Sequence, residues 1–366
     1  MMKDRFQKQK LIQYFLSRQW YPQMEVEIYW PENSDEKHKM ITDIDVLGLA
    51  PKQNGKTGLV IGDCKTLKSQ SPVNRAFWLK GLMEYLNAEY GIVLLSKRID
   101  HEHKLLANSL DISLLSEDDF KLYSSATLSR PSLDAQLCDL NRWDKYFSLY
   151  TFFPALSPLL DYCRKDFWNE RDSTVQIRHS IAKLQNARTE MNPQKGECCF
   201  LFLEACSMFS AALCDICINT FEKFLWQKDK ESFERDLRMQ LWGGFETYQF
   251  WDQLRRRLLS KNPNDSVAPL TLPEWASFIQ LVRSCMDSPL ELSIASIILK
   301  ELGFHYLQDQ ISIDNYSPYL KEIIKAHPYA AKCSVLQIDY IVKATKMPME
   351  FSDSLIGDIM KIQRVS

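Results

Sequence analysis

Ile41-Thr42-Asp43-Ile44-Asp45-Val46-Leu47-Gly48 and Leu59-Val60-Ile61-Gly62-Asp63-Cys64-Lys65-Thr66 are the two runs that decide the fold. Each places polar residues at alternate positions in an apolar frame, and side chains of a strand alternate between faces with period two. Asp43 and Asp45 therefore share one face of the first run, and Asp63 and Lys65 share one face of the second. Ile44, Val46 and Cys64 point the opposite way. As neighbouring strands the runs gather three acids and a lysine at one spot. Burying those charges among Ile, Val and Leu is costly unless a cation or polar partner compensates. A hard divalent cation would do so.

An Asp in one strand, followed after a short Gly-containing turn by Asp-x-Lys in the next, resembles the PD-(D/E)xK nuclease superfamily in its Mrr-like restriction-endonuclease branch. Asp45 matches the family's second-motif acid, with Asp43 as the alternative, and Asp63 and Lys65 match its Asp/Glu-x-Lys. The expected element order agrees. A helix over about Lys3 to Arg18 precedes an extended run, Met24 to Trp30, and the two strands. A helix Val73 to Glu89, a strand Gly91 to Leu95, a helix His101 to Leu110 and a strand Asp111 to Leu115 follow. The resemblance covers about the first third of the chain.

The resemblance implies an α/β restriction-endonuclease-like core, a mixed central sheet flanked by helices. It implies catalytic Asp45, Asp63 and Lys65, and Mg²⁺ or Mn²⁺ held by Asp45, Asp63 and the backbone carbonyl of Cys64. Lys65 would orient the attacking water or meet the developing charge. The family's first helix carries a Glu, and here Gln7 is the best match, with Asp4 one turn away and Glu25 or Glu27 able to approach from the first strand. A Gln offers one neutral oxygen in place of a carboxylate. Arg75, Lys80 and Lys68 are candidate contacts to a nucleic-acid backbone.

The 366 residues, 45% of them hydrophobic, suffice for two or three domains. The net charge of −2 gives no sign of a sequence-blind nucleic-acid coat. Residues 1–100 carry 15 Lys and Arg against 12 Asp and Glu, a balance of +3 that permits phosphate contacts without demanding them. Met1-Met2-Lys3-Asp4-Arg5 leads into an amphipathic helix and not a secretory signal. The ten cysteines sit among apolar neighbours, as reduced core residues do in a cytoplasmic protein. Packing explains Cys199, Cys206 and Cys217 better than a zinc site built on Cys214-x-x-Cys217. Cys198 to Ile218 is long and apolar enough for a membrane span, but Glu204 and Asp215 lie within it, so a buried helix is expected and no membrane contact. The chain has no phosphate-binding glycine loop, Gly-x-Ser-x-Gly or His-Glu-x-x-His, which argues against nucleotide-driven translocation and serine-hydrolase chemistry.

Six of the 11 glycines cluster around the two strands, and beyond Ser116 helical periods dominate. A nuclease-like domain over 1–128 and a mainly α-helical domain over 129–366 are expected, joined at Ser129-Arg130-Pro131-Ser132. Thr271-Leu272-Pro273-Glu274 reads as a capping box, and Pro318 to Ala326 and Ser354 to Ile362 read as late helices. The leading functional expectation is a metal-dependent endonuclease cutting DNA, with prokaryotic defence or mobile-element biology as an association of the family alone. The alternative is a degenerate nuclease fold that binds nucleic acid or a protein partner without cutting, and RNA is a further candidate substrate. A homodimer is the usual way such enzymes cut two strands, although no residue here argues for one.

Overall fold

The computed structural model describes residues 2–30, 39–66, 71–127, 134–224, 229–259, 268–308 and 315–365. Helix α1 (Arg5–Ser17) is followed by strands β1 (Tyr21–Tyr29), β2 (Met40–Pro51) and β3 (Thr57–Lys65). Helix α2 (Pro72–Leu86), β4 (Tyr90–Leu95), α3 (His101–Asn108), β5 (Ile112–Ser116) and α4 (Glu117–Thr127) complete the sheet-bearing part. The five strands lie in the order β1-β2-β3-β4-β5. The first three form an antiparallel meander and β4 and β5 add in parallel, so the sheet is mixed. Crossover helices are what parallel neighbours require, and α2 and α3 supply them.

Two glycines let α1 lie close on the sheet. A Cβ at Gly48 would sit 2.7 Å from ring atoms of Phe15, and one at Gly62 would sit 2.7 Å from Leu11 Cδ1. On the other face, a Cβ at Gly91 would meet Leu79 and Met83 of α2 at 2.8 and 2.9 Å. Ile61 pairs with Gly91 and Asp63 with Val93, so Asp63 lies on the face that α2 covers. Ser71 and Pro72 start α2, with Ser71 Oγ accepting from Asn74 N–H at 3.4 Å.

The remainder is mainly helical, and one buried apolar cluster runs through it and the sheet-bearing part. Its spine is the 29-residue helix Gly196–Phe224, packed against the helices Ser173–Ala187 and Glu291–His305. This helix is long and apolar enough to cross a membrane, yet 94% of its most apolar window is buried inside the protein. Its two mid-helix acids are both matched. Glu204 pairs with Lys300 at 2.5 Å, and Asp215 accepts from Thr57 N–H at 2.8 Å and Thr57 O–H at 3.0 Å. All ten cysteines are free and buried, and Cys214 donates to the Pro289 carbonyl at 3.3 Å.

Strand β1 is a sheet edge, and an exposed edge invites unwanted pairing. Asn169 covers it. Its side chain accepts from Tyr29 N–H at 3.0 Å and donates to the Glu27 carbonyl at 2.9 Å, as a neighbouring strand would.

Residues 157–169 are helical throughout, with a π-helical turn, Tyr162–Asp166, inside the run. Two local expectations need correction. Thr271 is not a helix cap: the helix Trp275–Met286 starts from Glu274, which has left-handed backbone (φ 51°) and no side-chain cap bond. The 18-residue helix Pro328–Thr345 has no counterpart among the expected elements. Pro328, two residues past the expected helix end at Ala326, occupies the first turn of a new helix, where a missing N–H costs nothing. The expected linker at 129–132 lies outside the described residues.

Candidate functional site

Asp45 of β2 and Asp63 and Lys65 of β3 come together. Lys65 Nζ lies 2.8 Å from Asp45 Oδ2 and 3.4 Å from Asp63 Oδ1. The Cys64 N–H donates to the same Asp45 Oδ2 at 2.7 Å. Each aspartate also meets a second cation. Lys8 of α1 holds Asp45 Oδ1 at 2.9 Å, and Arg75 of α2 grips both oxygens of Asp63, Nε reaching Oδ2 at 2.8 Å and Nη2 reaching Oδ1. The carboxylates are thus anchored from the two flanking helices, and Asp63 Oδ1 is shared between Arg75 and Lys65.

Glu25 of β1 joins through an ion pair with Lys8. Its backbone is left-handed (φ 55°) inside a strand, a conformation that costs a non-glycine residue on the order of 1–3 kcal/mol. Asp45, Asp63 and Lys8 are almost fully buried, whereas Lys65 is 25%, Glu25 24% and Arg75 16% exposed, so the cluster meets solvent at those three. Three acids face three bases. Burial pushes the Asp45 carboxyl up, but Lys8 and then Lys65 more than offset this and hold it below the usual carboxylate range. Asp63 is held above that range by its burial, against the pull of Arg75 and Lys65. Glu25 is also raised by burial, against the opposing charge of Lys8. Desolvation opposes the charge on Lys8 and on Lys65, yet in both cases neighbouring carboxylates win and raise the pKa.

The other expected site residues lie elsewhere. Gln7 turns away and donates to Glu117 Oε1 at 3.0 Å, so it does not complete the cluster. Lys8, its neighbour, enters instead. Glu27 pairs with Lys165 at 3.2 Å and accepts from Tyr29 O–H. Asp43 is exposed and sits opposite Glu27 in the β1–β2 register. Asp4 accepts from the N–H of Thr66, just past β3, at 3.0 Å. Lys80 pairs with Glu84 at 3.0 Å and Asp111 at 3.6 Å, apart from Asp63. Arg75 is an internal partner of Asp63 and stacks over Trp78 at 4.0 Å from the ring centroid. Lys68 lies outside the described residues.

A sequence signal for Lys8 and Arg75 does exist. Lys8, Leu11, Ile12, Phe15 and Leu16 form the buried stripe of α1 at i, i+3, i+4, i+7 and i+8. Arg75 heads a similar stripe through Leu79, Leu82 and Leu86. A charge on such a stripe requires a buried counter-charge.

The donor set can be tested against a divalent cation. Among the described residues no three Asp, Glu, His or Cys side chains surround a common point. What is present is a pair of carboxylates sharing one positive centre, with Lys65 Nζ in the position between Asp45 Oδ2 and Asp63 Oδ1. One or two carboxylates plus water and phosphate oxygens are a usual Mg²⁺ environment, so the pair fits such an ion. Comparison with known proteins returned no matching family model, no matching curated protein and no matching solved structure.

Proposed function

We propose that the sheet-bearing part is a PD-(D/E)xK nuclease-like fold carrying a metal-assisted centre for hydrolysing phosphodiester bonds in DNA. The observation that carries this reading is the convergence of Asp45 Oδ2 and Asp63 Oδ1 on Lys65 Nζ, with Lys8 on Asp45 Oδ1 and Arg75 on both oxygens of Asp63. The strand order and its switch from antiparallel to parallel at β3 and β4 support the fold identification.

Asp45 and Asp63 would hold Mg²⁺ or Mn²⁺, with the Cys64 carbonyl as a further ligand. Such an ion acidifies a water and neutralises charge on the non-bridging phosphate oxygens. Lys8 and Arg75 fix the two carboxylates before substrate arrives, so no reorganisation is needed at the moment of reaction. Lys65, on a flexible stem and partly exposed, orients the attacking water or meets charge on the phosphate. Arg75, also at the open side, is placed to contact the backbone. The chain acts in the cytoplasm, where its cysteines stay reduced.

One observation favours a second reading. The three acids are already balanced by Lys8, Lys65 and Arg75, and Gln7, in place of a carboxylate, bonds to Glu117. A fold neutralised in this way could bind nucleic acid or a protein partner without cutting. Incubating the pure protein and Lys65→Ala with supercoiled plasmid and Mn²⁺ separates the two. Nicking by the wild type and none by the variant supports the enzyme; an inert wild type supports the binding module. Parallel single-stranded DNA and RNA substrates assign the nucleic acid.

A further inference from the structure

We propose that Lys8 occupies the place of a second metal ion, so that the centre takes one divalent cation per chain. This inference rests on the reading of Asp45 and Asp63 as the ion's ligands. Lys8 is 2% exposed, and its ammonium bridges two carboxylates from different strands, Glu25 of β1 and Asp45 of β2. Asp45 is thereby shared between two positive positions. Its Oδ2 faces the centre now held by Lys65, and its Oδ1 faces Lys8.

Two cations bridged by a common aspartate, each with its own further carboxylate, is the arrangement of a two-ion phosphodiester centre. Here the second position is filled by a group on the protein's own helix. The two ammoniums differ in what surrounds them. Lys65 is a quarter exposed and can withdraw into solvent. Lys8 belongs to the buried stripe of α1 with Leu11, Ile12, Phe15 and Leu16, which fixes its stem. A dication arriving at the Glu25–Asp45 position would have to expel an ammonium whose stem is packed among the buried residues of α1. An ion arriving at the Asp45–Asp63 position displaces Lys65 and shares Asp63 with Arg75.

Lys8 is thus a positioning residue and a permanent cation. It orients Asp45 and supplies a single charge where a metal would supply two. The role predicts a specific stoichiometry, which does not depend on turnover.

Titration calorimetry with Mn²⁺ reads it out. The wild type is expected to bind one ion per chain, lost in Asp63→Ala. Lys8→Met vacates the Glu25–Asp45 position and should raise the count from one to two, and Lys8→Met/Glu25→Gln should return it to one. The electron paramagnetic resonance spectrum of wild type saturated with Mn²⁺ should be that of an isolated ion, which tests the idea even if Lys8→Met does not fold. A wild type with two ions, or with an exchange-coupled pair, overturns the role of Lys8, as does a folded Lys8→Met that stays at one. A wild type that binds none overturns the metal reading itself, and this inference with it.

Discussion

The ammonium of Lys300 lies 2.5 Å from Glu204 Oε1, and neither side chain has any exposed surface. The pair joins the helix Glu291–His305 to the helix Gly196–Phe224 beneath the sheet edge. Gln23 of β1 donates to Glu204 at 3.1 Å and to the Cys163 carbonyl at 3.2 Å, and accepts from Lys300 at 3.3 Å. Strand β1 thus carries a buried polar network at Gln23 and the candidate site at Glu25, two residues apart.

Removing one partner of this pair leaves a buried charge uncompensated, which costs about 3–5 kcal/mol, whereas replacing both by apolar groups is often near neutral. Lys300→Met is therefore expected to lower stability by about that amount at pH 7, read from urea midpoints. Lys300→Met/Glu204→Leu should recover most of the loss. A double variant as unstable as the single one would mean that the pair contributes through shape and not through charge.

Glycines give a second, opposed pair of outcomes. Gly48→Ala drives a Cβ to 2.7 Å from the Phe15 ring, and Phe15 is wholly buried, so the ring has no room to yield. Overpacking of this kind costs about 1–3 kcal/mol. Gly81 in α2 and Gly357 in the helix Met349–Val365 have nothing within 4 Å of an added methyl, and both are exposed. Alanine there should raise stability by roughly 0.5–1 kcal/mol each, because a helical glycine loses more backbone freedom. Thermal midpoints of the three variants test both directions at once.

The fold around Asp45 and Asp63 was legible because period-two alternation is a local signal and needs only a few residues to speak. The site itself was legible in part. Gln7 and Lys8 differ by about 100° around α1, so choosing between them required the rotational phase of the helix, which the Leu11–Phe15 stripe carries and the family pattern does not. Glu25 reaches Lys8 through a left-handed residue that no strand pattern foretells. Glu204 stood out as an acid in an apolar run, but its partner lies 96 residues away and only the packed core pairs them. The helix Pro328–Thr345 is buried on most sides, so its apolar residues show no amphipathic period to read.

His305 offers a pH test away from the candidate site. It is 1% exposed, Gln308 Nε2 lies 2.8 Å from its Nδ1, and burial, aided by nearby Arg142, depresses its pKa to about 4. The folded state holds the ring neutral, while the unfolded chain takes a proton near the ordinary histidine value. With the unfolded state binding more protons, stability is fully present above about pH 6.5 and is lost as pH falls toward 4. The loss should approach roughly 3 kcal/mol, since a tenfold difference in proton affinity between the two states is worth about 1.4 kcal/mol. His305→Gln should flatten the stability profile between about pH 6.5 and 4. An unchanged slope in that variant would assign the acid sensitivity to other groups.

Arg75 and Lys80 stand on the same helix and looked alike as phosphate contacts, yet their surroundings predict different behaviour. Lys80 is in surface pairs with Glu84 and Asp111, and such pairs contribute little. Lys80→Ala should leave stability nearly unchanged and should not alter plasmid nicking or its salt dependence. Arg75→Ala strips the forked partner from Asp63, which is 3% exposed. At pH 7 the variant should lose on the order of 3 kcal/mol, because Lys65 alone, at 3.4 Å, replaces the fork poorly. The deficit should shrink at acid pH, where the carboxyl, held up by its burial, takes a proton and no longer needs a cation. Arg75→Lys restores charge without the planar fork and should recover only part of the loss. Should Arg75→Ala prove as stable as wild type across that pH range while weakening DNA binding, Arg75 serves the phosphate backbone and its grip on Asp63 is incidental.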